Sequence, residues 1–204
     1  TVAVSVAAGV AALTSAVPGL YDYRVVIGVV FVAAITLANL RGLRESGNLF
    51  ALPTYVFIGF VAILIVYGFI RWAFGWDAAA HVPDPRIAAV QDLSVFLVLR
   101  AFASGCAALT GVEAVSDGVP AFKPPEAKNA RIVLAWLGMI LISLFVGITF
   151  LTRHYHLTPL PEQTILSQLA RQIFGDGVLY YAIQASTMLI LVLAANTAFA
   201  DFPR

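Results

Sequence analysis

A chain of 204 residues with 61% hydrophobic and only 11% charged positions cannot bury its apolar surface inside one water-soluble globule, because soluble domains are about a quarter charged. Its mean hydropathy of +0.92 makes lipid the expected solvent. A net charge of +1 argues against a nucleic-acid partner, and the single cysteine, Cys106, excludes an internal disulfide and a cysteine-rich metal site.

Six apolar segments follow one another along the chain. Residues 2–17 form the first, rich in Ala, Val, Gly and Ser and closed by Pro18-Gly19. It is short against the roughly 20 residues a span requires. The second covers 25–40. The third covers 49–74, with Pro53 in its first turn or two, where a missing N–H does least harm. The fourth runs over 93–122, the fifth over 131–151 and the sixth over 178–199. Strands do not compete: the runs are long, they do not alternate, and an open sheet edge is not tolerated in lipid. The fold class expected is all-α, a polytopic membrane protein with six transmembrane segments. Thr1 opens inside an apolar run without Met, a basic start or a signal-peptide pattern. The chain therefore reads as an internal part of one longer membrane protein.

The connections differ in charge. RGLRESGN (41–48) and KPPEAKNAR (123–131) are short and basic through Arg41, Arg44, Lys123, Lys128 and Arg131. The loop 75–92 holds three Asp against one Arg, and 154–177 holds one Arg. Positive charge gathers on the cytoplasmic side. Loops 41–48 and 123–131 are thus expected inside, and the two spans between them make that assignment self-consistent. Within 154–177, Ile165, Leu166, Leu169, Ile173 and Phe174 stand near helical spacing, with Pro161 and Glu162 suiting a start and Gly175 an end. This reads as a short amphipathic helix on the outer face, either resting on the bundle or gating it.

The fourth segment is interrupted by ALTGVEAVSDGVP (108–120). Gly111 frees the backbone. Glu113 places a carboxylate near mid-membrane, where charged groups are costly and rarely idle. Gly118 and Pro120 weaken the helix again. Irregular backbone at membrane depth is tolerated only where it lines a cavity or packs against protein, and transporters use such breaks to hold substrate and coupling ion. Thr110 adds a hydroxyl oxygen. Oxygen donors of this kind suit an alkali cation or an ammonium group and not zinc or copper. The competing reading is a Gly-kinked helix whose Glu113 pairs with a neighbour. Arg100, the basic residue of that span, stands 13 positions earlier, about 20 Å along a helix. Asp117 reads equally as a solvated or capping residue.

LTGVEAVSDGVPAFKPPEAKNAR, NLRGLRESGNLFALPTY and the terminal ANTAFADFPR together resemble the amino acid–polyamine–organocation (APC) permeases, and within them the KimA-type branch of the KUP potassium importers. The resemblance runs over essentially the whole chain. It implies a LeuT-type fold of two inverted five-helix repeats, with this chain matching helices three to eight. It implies a cation site of Thr110 and Glu113 in the sixth helix, beside Gly111, with Thr1 and Ser5 in the third. The pair Thr1 and Ser5 lies four residues apart, on one helix face. Read on composition alone, Ser5 is close packing in a small-residue helix.

Other polar residues read first as structure. Thr14, Ser15, Thr36, Ser143 and Thr149 can bond their own helix backbone. Tyr180 and Tyr181, like Trp72 and Trp76, suit an outer aromatic belt. Gln184, Ser186 and Thr187 fall on the eighth family helix, which serves ion sites in some sodium-coupled relatives. Asn196 and Asp201 could gate or cap at the inner end. His81, His154 and His156 all fall in outer loops, so no general base lies at depth and an enzyme is not expected. Secondary transport is, as proton-coupled potassium uptake across the plasma membrane or, alternatively, as an amino-acid or amine permease. The Thr-Gly-Val-Glu order favours the cation branch. No cofactor is expected beyond transported potassium and protons, the partners are the lipid bilayer and a small cation or small-molecule substrate, and the expected assembly is a homodimer.

Overall fold

A computed structural model of the chain describes residues 2–40, 47–76, 94–105, 115–116 and 118–200. The described residues are mainly helical, without a named strand, so the all-α class holds. Seven α-helices are present among them: α1 (Val2–Ala16), α2 (Arg24–Leu40), α3 (Gly47–Ala73), α4 (Val95–Gly105), α5 (Glu126–His154), α6 (Ile165–Phe174) and α7 (Val178–Ala200). Two short 3₁₀ turns, Pro18–Tyr23 and Val119–Ala121, join them. Four stretches, Pro18–Leu40, Ala51–Ala73, Glu126–His154 and Val178–Phe199, are long and apolar enough to cross a membrane, while α1 is shorter.

Contacts group the chain into two compact units, residues 1–84 with 148–204, and residues 85–147. In the first, α1 and α7 run antiparallel along a shared seam. Ser15 meets Tyr180 at one end, Gly9 faces Leu191 and Val192 in the middle, and Val2 and Phe199 join the same apolar cluster at the other end. That cluster is Val6, Val10, Ile35 and Ala195, so α2 packs there as well. Small residues, Gly9 and Ala12, line α1 along this seam, although the space at Gly9 would also accept a methyl group. Asn39 of α2 donates to Asn196 of α7 across 2.8 Å and to its own Ile35 carbonyl.

α6 lies over α3 and the start of α7. Its start is set by Thr164, whose hydroxyl accepts from the Ser167 amide at 3.2 Å, and not by Pro161 or Glu162. A side-chain oxygen at the N-cap satisfies an amide the helix leaves orphaned; the glutamate two residues earlier and the proline three residues earlier do not occupy that position. Leu169 and Ile173 are buried, and Phe174 stacks on Tyr67 of α3 at 5.6 Å. Arg71 in the last turn of α3 donates to the Gln172 and Ile173 carbonyls, which end α6. Gly68 of α3 lets these side chains pack close: a Cβ would stand 2.7 Å from Leu151 Cδ1 and 2.9 Å from Ile173 Cδ1, so the ends of both side chains would have to shift.

Two helices end in the same hydrogen-bond pattern with different residues. At the end of α3, Trp76 N bonds Arg71 O, Gly75 N bonds Trp72 O, and Gly75 has φ +64°. At the end of α5, Leu157 N bonds Thr152 O, His156 N bonds Arg153 O, and His156 has φ +52°. Both are Schellman closures, in which the left-handed position favours glycine.

The second unit holds α4, whose Leu97 amide is capped by Ser94 at 3.2 Å, the turn Val119–Ala121 and α5 as far as Gly147. Apolar side chains stand exposed on it, including Phe96 and Phe102 on α4 and Trp136, Ile142 and Phe145 on α5. Outward apolar faces are what a helix with lipid as its solvent presents. α5 begins at Glu126, earlier than the apolar run at 131 indicates, because its polar first turns are held from outside the run. Asn129 donates its side chain to Lys123 O and its amide to Pro125 O. The expected break at Thr110–Glu113 lies outside the described residues.

Candidate functional site

Of the residues expected to hold a cation, Thr1, Thr110, Gly111 and Glu113 lie outside the described residues, as do Cys106, Asp117 and Asp201. Ser5 is described. It is half-buried on α1, on the face that continues one turn on through Gly9 and then Ala12 toward α7. Its hydroxyl makes no hydrogen bond among the described residues.

Thr152 Oγ1 in α5 is likewise without a partner among the described residues, whereas six other helical hydroxyls bond their own backbone. Thr14 and Ser15 donate to Ala11 O at 3.3 and 2.7 Å. Thr36 donates to Val32 O at 2.8 Å, Ser186 and Thr187 both donate to Ile183 O, and Thr197 donates to Leu193 O. A hydroxyl bonded back to its own turn has spent its proton and is held in place. Ser5 keeps an oxygen whose direction an external ligand can set. Ser186 and Thr187 are backbone-bonded, with lone pairs still open.

The end of the seam near Ser15 is polar and closed. Tyr180 is fully buried, with its hydroxyl donating to Ser15 O at 2.8 Å. It accepts from Ser167 Oγ at 2.9 Å and from Arg171 Nη2 at 3.1 Å. This corrects the aromatic-belt reading of Tyr180: one side of α7 faces α1 and α6 here, and only the neighbouring Tyr181, 50% exposed, keeps an outward position. Arg171 also stacks over the Tyr180 ring at 4.7 Å and pairs with Asp176 at 2.7 Å. Ser15 Oγ accepts from the Thr164 amide at 3.0 Å, tying α1 to the cap of α6.

One turn further along α7, Gln184 is 2% exposed and donates Nε2 to Ala12 O at 3.1 Å. Its Oε1 is buried without a partner among the described residues. Hydrogen bonds between membrane helices average ~0.6 kcal/mol, while an unpaired buried acceptor costs ~1–3 kcal/mol. On that comparison Gln184 is a net cost to stability. Its spacing of four from Tyr180 was visible in the sequence; that both would aim at α1 was not.

A groove of about 790 Å³ opens on another face of α1, toward α2. Val6, Ala7, Val10, Val25, Val29 and Val32 line its length, and its polar groups gather at the end near Tyr21, Arg24 and Glu162. Ser5 does not line it. An apolar groove offers no set of oxygen ligands to an alkali ion, so this groove and the candidate cation face are separate features. Among the described residues there is also no cluster of three His, Cys, Asp or Glu able to hold a metal ion.

A protein-family model described as "Amino acid permease" matches residues 1–204. The chain is also 48% identical, over 205 residues, to the potassium transporter KimA of Bacillus subtilis (strain 168). That match takes in 100% of this chain and 34% of KimA, so the chain spans about a third of the length of this curated relative. Apolar helices of membrane-crossing length, a family match from end to end and a close relative that is a transporter agree: the chain belongs to the amino acid permease family of the APC superfamily, multi-pass membrane transporters and not enzymes.

Proposed function

We propose that this chain is part of a secondary active transporter that takes up potassium across the plasma membrane, coupled to protons. The observation that carries the reading is its 48% identity, along its whole length, to a potassium transporter. Ser5 supports it locally, because it is a half-buried hydroxyl with no hydrogen bond among the described residues. Ser5 and Thr1 on α1, with Thr110 and Glu113 beside Gly111, supply the oxygen ligands. Glu113 neutralises the cation or carries the coupling proton. The surrounding architecture is the LeuT-type inverted repeat, with this chain as helices three to eight and six spans, in a homodimer. Loops 41–48 and 123–131 face the cytoplasm, which places α6 and the Ser15 end of the seam outside. External labelling of cysteines placed in either loop would reverse that orientation.

The alternative is an amino-acid or amine permease on the same fold, favoured by the description of the matching family. Uptake by the full-length transporter in potassium-deficient and amino-acid-deficient cells separates the two. Potassium uptake that Glu113→Gln abolishes or strongly reduces, with the protein still inserted, is the expected result. The substitution keeps size and one acceptor oxygen while removing the charge and the titratable proton. Normal, equally pH-dependent potassium uptake by Glu113→Gln would make Glu113 structural and the proposed site wrong.

A further inference from the structure

Tyr180 and Gln184 stand four residues apart on α7 and share a face. Both are buried, and both donate to α1 carbonyls, Tyr180 to Ser15 O and Gln184 to Ala12 O. The two bonds do different things. Ser15 lies in the last turn of α1, where carbonyls have no partner within the helix, so Tyr180 satisfies a group that would otherwise be orphaned. Ala12 O lies a full turn inside, where its own helix already provides an amide. Gln184 satisfies nothing that needs it, and its own Oε1 is left buried without a partner among the described residues.

A leucine or methionine would fill this position with no polar atom to leave unpaired. What Gln184 adds is position along the seam. Below it the two helices meet through Gly9, Leu191 and Val192 at ordinary van der Waals separation. Smooth contacts of that kind resist sliding weakly. Polar residues in an apolar helix seam select one register at a cost in stability, and here Gln184 does so beside Tyr180, whose bond to Ser15 O holds the end of the seam one turn away. The donor on Gln184 reaches Ala12 O in one register, and a slip by a turn, about 5.4 Å, breaks it.

We propose that Gln184 is a positioning residue for the cation site: its hydrogen bond to the Ala12 carbonyl sets the axial register of α1 against α7, and so the depth at which Ser5 is presented. Ser5 lies seven residues from Ala12 on the same helix, about 10 Å along the axis. α1 is a stiff rod over that distance, so a register fixed at Ala12 is a register fixed at Ser5. The proposal rests on the reading of Ser5 as a cation ligand.

The test uses the full-length transporter with Gln184→Leu, Gln184→Met, Ser5→Ala and the double variant Ser5→Ala/Gln184→Leu. KM for potassium uptake and the unfolding temperature in detergent are measured for each. Ser5→Ala and Gln184→Leu are each expected to raise KM roughly tenfold, the factor for losing one neutral ligand. Both position-184 variants should unfold at or above the temperature of the unsubstituted protein. The double variant should show no more than the larger single effect, since a misplaced Ser5 and an absent one are equivalent to the ion. A normal KM in Gln184→Leu beside a raised KM in Ser5→Ala overturns the positioning role alone. Full additivity, or lowered unfolding temperatures in both position-184 variants, also overturns it. A normal KM in Ser5→Ala overturns the ligand reading of Ser5, and the proposal with it.

Discussion

Ser15 and Ser5 sit on one helix, ten residues apart, in equally apolar sequence. Ser15 is fully buried, bonds the Ala11 carbonyl, receives the Thr164 amide and lends its own carbonyl to Tyr180. Ser5 is half-buried and bonds to nothing among the described residues. At the Ser15 end three elements, α1, α6 and α7, share one closed hydrogen-bond network. At the Ser5 end the neighbouring contacts are apolar, through Val6, Val10, Ile35 and Ala195. The same residue type is thus fixed structure at one end of a helix and an uncommitted oxygen at the other. The difference comes from what packs beside it, because a hydroxyl that has partners is a joint and one that has none can be a ligand.

The strongest way to break this contrast is at the closed end. Tyr180→Phe removes the one group that joins Ser15 O, Ser167 Oγ and Arg171. The partners left behind are buried or partly buried, so a loss of ~1–3 kcal/mol in stability is expected. Thermal unfolding in detergent measures it. Unchanged unfolding would mean that the network is not closed in the membrane.

A paired comparison of the two serines sharpens it. Ser15→Ala should cost ~1 kcal/mol in stability through the lost bonds and leave potassium KM unchanged. Ser5→Ala should change stability by less than ~0.5 kcal/mol, with the rise in KM described above. Equal stability effects would show that Ser5 is as structural as Ser15.

The smallest effect is expected midway. A Cβ on Gly9 would lie 3.5 Å from Leu191 Cβ and from Met188 O, and 3.7 Å from Val192 Cγ2, which are ordinary contacts. Gly9→Ala should therefore be neutral or stabilising by ~0.5 kcal/mol, since glycine costs a helix conformational entropy. A clear loss of stability would mean that the seam is tighter than these distances state.

Much of this architecture was legible in the amino-acid order. Long apolar runs separated by charged loops require membrane helices, because backbone in lipid must satisfy itself. The spacing of Ile165, Leu169 and Ile173 required a helix with one apolar face. Of the five hydroxyls expected to bond their own helix, Thr14, Ser15 and Thr36 do so, while among the described residues no such bond is seen for Ser143 and Thr149, because the carbonyl three or four residues back is within reach of a helical hydroxyl but does not oblige it to bond. These are local rules, and they operate within one or two turns. What sequence could not determine was which side of each helix meets which neighbour. Tyr180 read as an interfacial aromatic because tyrosines at a span's end usually are; its burial against Ser15 depends on a residue 165 positions away. Gln184 likewise gains its meaning from Ala12 O, 172 positions earlier. Along α7 every polar side chain has the same local surroundings, so only the packing of α1 could decide which of them hold the seam and which hydroxyl is left uncommitted.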